Sequence, residues 1–155
     1  MSFESWRGRK VADIMKTALV TLKVDDTVAD AARLMREHGI GFLPVCDANM
    51  RVKGVLTDRD IVTRVIADGR ATTTAVVDAM TLELVRCRSD DTIAAAAASM
   101  ADAHKGRILV TGPGDVLEGV VSLSDLAWLD EANAGATLGK VAHRESQDSD
   151  QHAPR

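Results

Sequence analysis

Gly54-Val55-Leu56-Thr57-Asp58-Arg59-Asp60-Ile61 returns 65 residues later as Gly119-Val120-Val121-Ser122-Leu123-Ser124-Asp125-Leu126. Working outward, the same offset brings Val11-Ala12-Asp13-Ile14-Met15 back as Val76-Val77-Asp78-Ala79-Met80, and Asp25-Asp26-Thr27 back as Asp90-Asp91-Thr92. Residues 11–61 against 76–126 give 17 identities in 51 positions without a gap, far above the chance level set by average residue usage. Two copies are too few for a solenoid, which needs about three to bury a continuous core. The reading that remains is two half-domains with approximate two-fold symmetry, and function in the cleft between them.

Each copy carries the same order of elements. In the first, residues 11–15 suggest one helical turn and 19–22 a short strand. Val28, Ala31, Ala32 and Met35 then fall on one face of a helix over 27–38, with Asp26 or Thr27 as its N-cap and Gly39 as its stop. Strands are predicted at 42–46 and 52–57 around an Asp47–Arg51 turn, followed by a helix over 58–67 ending at Asp68-Gly69. The second copy repeats this as a turn at 76–80, a strand at 84–87, a helix at 92–104, strands at 107–111 and 116–122 around Gly112-Pro113-Gly114-Asp115, and a helix at 124–131. The expected organisation is a lead-in at 1–10, a first motif at 11–68, a linker at 69–75, a second motif at 76–131 and a partly disordered tail at 132–155. The fold class is α+β, with two pseudo-symmetric β-α-β-β-α motifs packed sheet to sheet as one compact module. One motif alone has too little core to stand.

Composition narrows the function. The chain has 155 residues, a formal net charge of −4 and only four aromatic side chains, Phe3, Trp6, Phe42 and Trp128. That balance argues against nucleic acid or an anionic membrane as the main partner. No apolar run approaches the length of a membrane span, and the chain reads as cytoplasmic. Cys46 and Cys87 lack metal-ligand spacing and read as small hydrophobes. His38 and His104 close the first helix of each copy, where a positive group suits the helix end. No Walker loop, zinc motif or Ser–His–Asp order is present, so no catalytic residues and no metal site are expected.

Thr57–Asp60 and Ser122–Asp125 open the last helix of each copy. As capping boxes they would each contribute about 1 kcal/mol and require no ligand. Three features favour a binding role as well. Gly54 and Gly119 remove a Cβ where a backbone or ligand could approach, a carboxylate at this place could accept a ribose diol, and a helix N-terminus could seat phosphate.

With Met15 and Met80, the paired Asp-Asp-Thr segments, Leu43-Pro44-Val45 and the duplicated Gly-x-x-Thr/Ser-x-x-Asp, the chain resembles tandem cystathionine-β-synthase (CBS) motifs, a Bateman module, over residues 11–131. The resemblance implies a stand-alone regulatory sensor for an adenosine-containing ligand such as AMP, ADP, ATP, NAD or S-adenosylmethionine. It implies no enzyme activity and no catalytic cofactor, a flat homodimer, and an effector protein as partner. Position by position, Asp60 and Asp125 would accept the ribose, with Thr57 and Ser122 beside ribose or phosphate. Thr17, Leu19, Val20, Leu82, Leu84 and Val85 would line the adenine pockets. Arg59 and Arg64 would lie near phosphate in the first copy, and Arg107 would face the cleft in the second, which lacks the proline of the first. The alternative is a ligand-free dimerising adaptor in which both carboxylates only cap helices.

Overall fold

A computed structural model of the chain describes Trp6, residues 8–129 and residues 139–140. Phe3, the end of the last expected helix and all but two residues of the 132–155 tail lie outside the described residues. A 3-10 turn at Val11–Asp13 precedes β1 (Leu22–Lys23), α1 (Val28–His38), β2 (Phe42–Cys46), β3 (Val52–Thr57) and α2 (Asp58–Ile61), which runs on as a π-helical turn, Val62–Ile66. A 3-10 turn at Val76–Asp78 opens the second series of β4 (Arg86–Cys87), α3 (Ile93–Ala103), β5 (Arg107–Thr111), β6 (Leu117–Ser122) and α4 (Leu123–Ala127). The expected α+β class holds, as two three-stranded sheets ordered β1-β2-β3 and β4-β5-β6.

Within each sheet the first strand is a two-residue parallel partner of the second, Leu22 opposite Val45 and Arg86 opposite Leu109. β2 and β3 form an antiparallel hairpin with Leu43 opposite Leu56, and an irregularity at Val45/Cys46. The hairpin turn is fixed by Asp47, whose carboxylate accepts from the Asn49 and Arg51 amides at 2.9 and 3.0 Å and pairs with Lys53. The Arg51 amide, first among these partners, holds the Asp47 carboxyl below its ordinary pKa.

The chain forms two compact units, and neither is one repeat. Among the described residues, one comprises Trp6 and residues 8–17, 85–112, 118–129 and 139–140; the other comprises 18–84 and 113–117. The opening turn of each repeat therefore belongs to the unit built on the other repeat. The cores say the same. Val11 of the first copy is fully buried with Ile93, Met100, Ile108 and Val121 of the second, and Trp6 joins them. Val76 of the second is fully buried with Leu22, Ala31, Leu43, Leu56 and Val65 of the first.

Backbone pairing holds each borrowed turn in place. Val76 donates to the Asp26 carbonyl, Ala75 bridges Thr27, and the Val28 and Ala29 amides at the start of α1 donate to the Thr74 and Thr72 carbonyls. Residues expected to act only as a linker thus satisfy helix amides that would otherwise lack partners. The counterpart set is Val11 on Asp91, Lys10 bridging Thr92, and Ile93 donating to the Arg9 carbonyl. Thr27 and Thr92 cap α1 and α3 through their hydroxyls, which accept from the Asp30 and Ala95 amides at 3.2 Å.

The two long helices end alike but with different residues. Gly39 closes α1 at φ 62°, whereas His104 closes α3 in the same left-handed conformation at φ 55°. A Cβ is disfavoured there and glycine is not. His104→Gly should therefore raise stability by about 1 kcal/mol, read as an increase in the urea midpoint at unchanged m-value.

Candidate functional site

Each Gly-x-x-Thr/Ser-x-x-Asp segment occupies the junction from the third strand of a sheet to the short helix that follows. In the unit holding β1–β3, Thr57 Oγ1 accepts from the Asp60 amide at 3.1 Å, and Asp60 Oδ2 accepts from the Thr57 amide at 3.0 Å. In the other unit, Asp125 Oδ2 accepts from the Ser122 amide at 2.7 Å and the Ser122 hydroxyl at 2.8 Å. Both segments are capping boxes in fact. Yet both carboxylates are largely buried, with side chains only 11% and 13% exposed, more than capping a solvent-facing helix requires.

The second carboxylate oxygen faces the opening turn of the opposite repeat. Thr81 Oγ1 stands 3.2 Å from both oxygens of Asp60. Lys16 Nζ stands 3.3 Å from Asp125 Oδ1. Residues 16 and 81 are themselves 65 apart, so one geometry is built twice with different chemistry. Backbone bridges, Val55 with Thr81 and Lys16 with Val120, set the register.

The glycines explain how the turn comes so close. A Cβ on Gly54 would lie 2.5 Å from Met80 Sδ and 3.0 Å from the Thr81 carbonyl oxygen. On Gly119 it would lie 2.8 Å from Met15 Sδ and 3.1 Å from the Lys16 carbonyl oxygen. The missing Cβ admits another stretch of chain, one of the two occupants expected. Met15 and Met80 fill this contact at the edge of the cores, and Met35 and Met100 are buried within them.

Other site residues divide between the units. Leu19, Val20, Leu82 and Leu84 belong to the unit of Asp60, and Thr17, Val85 and Arg107 to that of Asp125. Val20 and Val85 pack on their respective cores. Leu82 is 69% exposed; Thr17, Arg59 and Arg107 are exposed as well.

Arg64, expected near a phosphate, is engaged by the chain itself. Its Nη1 donates to the carbonyls of Ala79 and Met80 at 3.1 and 2.8 Å, and its Nε lies 3.8 Å from Asp60 Oδ1. The guanidinium is thus bolted to the borrowed turn. The start of α2 is not a ready phosphate seat either. The amides of Asp58, Arg59 and Asp60 already donate to the Gly41 carbonyl, the Asp58 carboxylate and the Thr57 hydroxyl.

Residue-by-residue reasoning missed Lys16 and Thr81. The signal available was positional: each follows the methionine that opens its repeat, and the glycine opposite required a close neighbour. Cys46 and Cys87 are buried and unpaired as a disulfide, and burial pushes both thiols up to about 11, in keeping with packing roles. Among the described residues no three His, Cys, Asp or Glu side chains are grouped as metal ligands, and no helix is long and apolar enough to cross a membrane.

A profile of the CBS domain matches the chain twice, at residues 11–67 and 76–130. The CBS domain-containing protein YhcV of Bacillus subtilis is 36% identical over 136 residues, covering 86% of this chain and 96% of the relative. The conserved CBS domain protein TA0289 of Thermoplasma acidophilum superposes with a TM-score of 0.75 at 27% identity, over 88% of this chain and 76% of that one. The CBS domain pair of protein MJ0100, solved with 5'-methylthioadenosine and S-adenosyl-L-methionine, gives 0.71 at 21% identity over 80% and 97% of the two chains. At that identity the likeness speaks for the fold.

Proposed function

The chain belongs to the CBS-domain family, and from that premise we propose that it is a regulatory sensor for an adenosine-containing ligand. One observation carries the reading. At both strand-to-helix junctions a sequestered carboxylate spends Oδ2 on its cap and turns Oδ1 toward side chains that a ligand hydroxyl could replace. A ribose diol is the complement of such an acceptor. A carboxylate hydrogen bond is worth about 1.5–3 kcal/mol, against about 8 kcal/mol for micromolar affinity. Apolar contacts to the base from Leu19, Val20, Leu82 and Leu84, or from Thr17 and Val85, would supply much of the rest. That MJ0100 holds two adenosyl compounds in the same fold supports the ligand class.

Ligand state passes to an effector protein, with the chain pairing as a homodimer. Exposed apolar side chains supply surface for association: Val62 and Ile66 in one unit, each 58% exposed, and Trp128 in the other at 90%. The ligand-free adaptor is the second reading, and the two completed capping boxes favour it.

A thermal-shift panel with AMP, ADP, ATP, NAD and S-adenosylmethionine tests the proposal. A compound present at a hundred times its dissociation constant adds about 2.7 kcal/mol, or roughly 5–11 °C for a chain of this length. A flat response to all five at millimolar concentration would leave the adaptor reading in possession.

A further inference from the structure

We propose that Lys16 is the specificity-determining residue of the Asp125 site and restricts it to adenosine ligands that carry an anionic group beside the ribose, a nucleoside phosphate in chemical class. The inference rests on the sensor reading above. It starts from a place where the duplicated geometry is chemically unequal, Lys16 against Thr81.

Asp125 Oδ2 is fully engaged, by the Ser122 amide and the Ser122 hydroxyl. Oδ1 is what remains for an incoming hydroxyl, and the ammonium of Lys16 lies on it at 3.3 Å. A ribose that takes Oδ1 must therefore displace or share a positive charge. The Lys16 side chain is 66% exposed, and its flexible four-carbon stem lets the ammonium swing aside. A ligand with an adjacent phosphate gives the displaced charge a new partner. A neutral nucleoside gives it none, and a cationic sulfonium meets repulsion.

The Asp60 site lacks this device. Thr81, the counterpart of Lys16, offers a neutral hydroxyl. The nearby cation, Arg64, is fixed on the Ala79 and Met80 carbonyls. Its own counterpart in the Asp125 unit is Leu129, packed on the hydrophobic core. One junction thus has a fixed cation from its helix, the other a movable one from the borrowed turn.

Isothermal titration of AMP, adenosine and S-adenosylmethionine into Asp60→Ala protein, which leaves the Asp125 site, tests the assignment. AMP should bind at least about tenfold more tightly than adenosine, the scale of a charge-assisted hydrogen bond, and S-adenosylmethionine most weakly. Adding Lys16→Thr, which installs the residue of the other repeat, should bring AMP and adenosine within about twofold to threefold. Lys16→Gln, which keeps most of the length without the charge, should do the same, with circular dichroism confirming that both variants fold. An AMP-to-adenosine ratio unchanged by either substitution overturns the role of Lys16 while leaving the sensor reading intact. No binding of any of the three compounds to unmutated protein overturns the sensor reading itself, and this inference with it.

Discussion

Asp60→Ala combined with Asp125→Ala should abolish the rise in unfolding temperature expected of an adenosine ligand, while the ligand-free protein should lose only about 1 kcal/mol per cap. The two effects separate because each carboxylate has two jobs on different oxygens. Oδ2 holds the Thr57 or Ser122 amide, a local contact whose loss frays one short helix. Oδ1 faces Thr81 and Arg64, or Lys16, and the ion pairs with these half-exposed cations add little stability. A saturating ligand gives roughly 5–11 °C to the unmutated chain, and none of it should survive in the double variant. Each single variant should retain the response of the other junction. Differential scanning fluorimetry with and without ligand reads all four proteins. If the double variant keeps the full ligand shift, the carboxylates are caps and nothing more.

Gly54→Val should cost about 3 kcal/mol, the upper end of overpacking effects, or about 6–12 °C in melting temperature. The backbone at Gly54 is not in the left-handed region, so the cost comes from space alone. A Cβ would meet Met80 Sδ at 2.5 Å and the Thr81 carbonyl oxygen at 3.0 Å. The sulfur belongs to a flexible side chain and can move; the carbonyl belongs to a bridge with Val55 and cannot without breaking it. Gly54→Val with Met80→Ala should accordingly recover only part of the loss, which a double-mutant cycle in urea would measure. Gly119→Val should behave alike through Met15 and Lys16.

Local chemistry was easiest to read. β2 at 42–46, β3 at 52–57 and β5 at 107–111 fall where apolar runs between turn residues placed them, and the caps at Thr27 and Gly39 follow from side-chain and backbone preferences within a few residues. Elements that depend on distant partners were harder. The strands expected at 19–22 and 84–87 shrink to Leu22–Lys23 and Arg86–Cys87, because each exists only as far as its parallel neighbour pairs with it. The helix expected over 58–67 becomes π-helical after Ile61. Val65 is fully buried there while Arg64 reaches the carbonyls of residues 79 and 80, a pair of demands no periodicity announces. At the site, the duplicated aspartates stood out in the sequence. Their partners at 16 and 81 did not, since hydrophobic patterning reports which face is buried and says nothing of which repeat lends the turn.

That lending has a genetic corollary. Were a single repeat to build this arrangement from two identical chains, every junction would receive the same residue after its methionine, lysine twice or threonine twice. Covalent tandem duplication lifts that constraint: one gene can write a charge at 16 and a hydroxyl at 81. Two junctions that began as copies are then free to carry different chemistry.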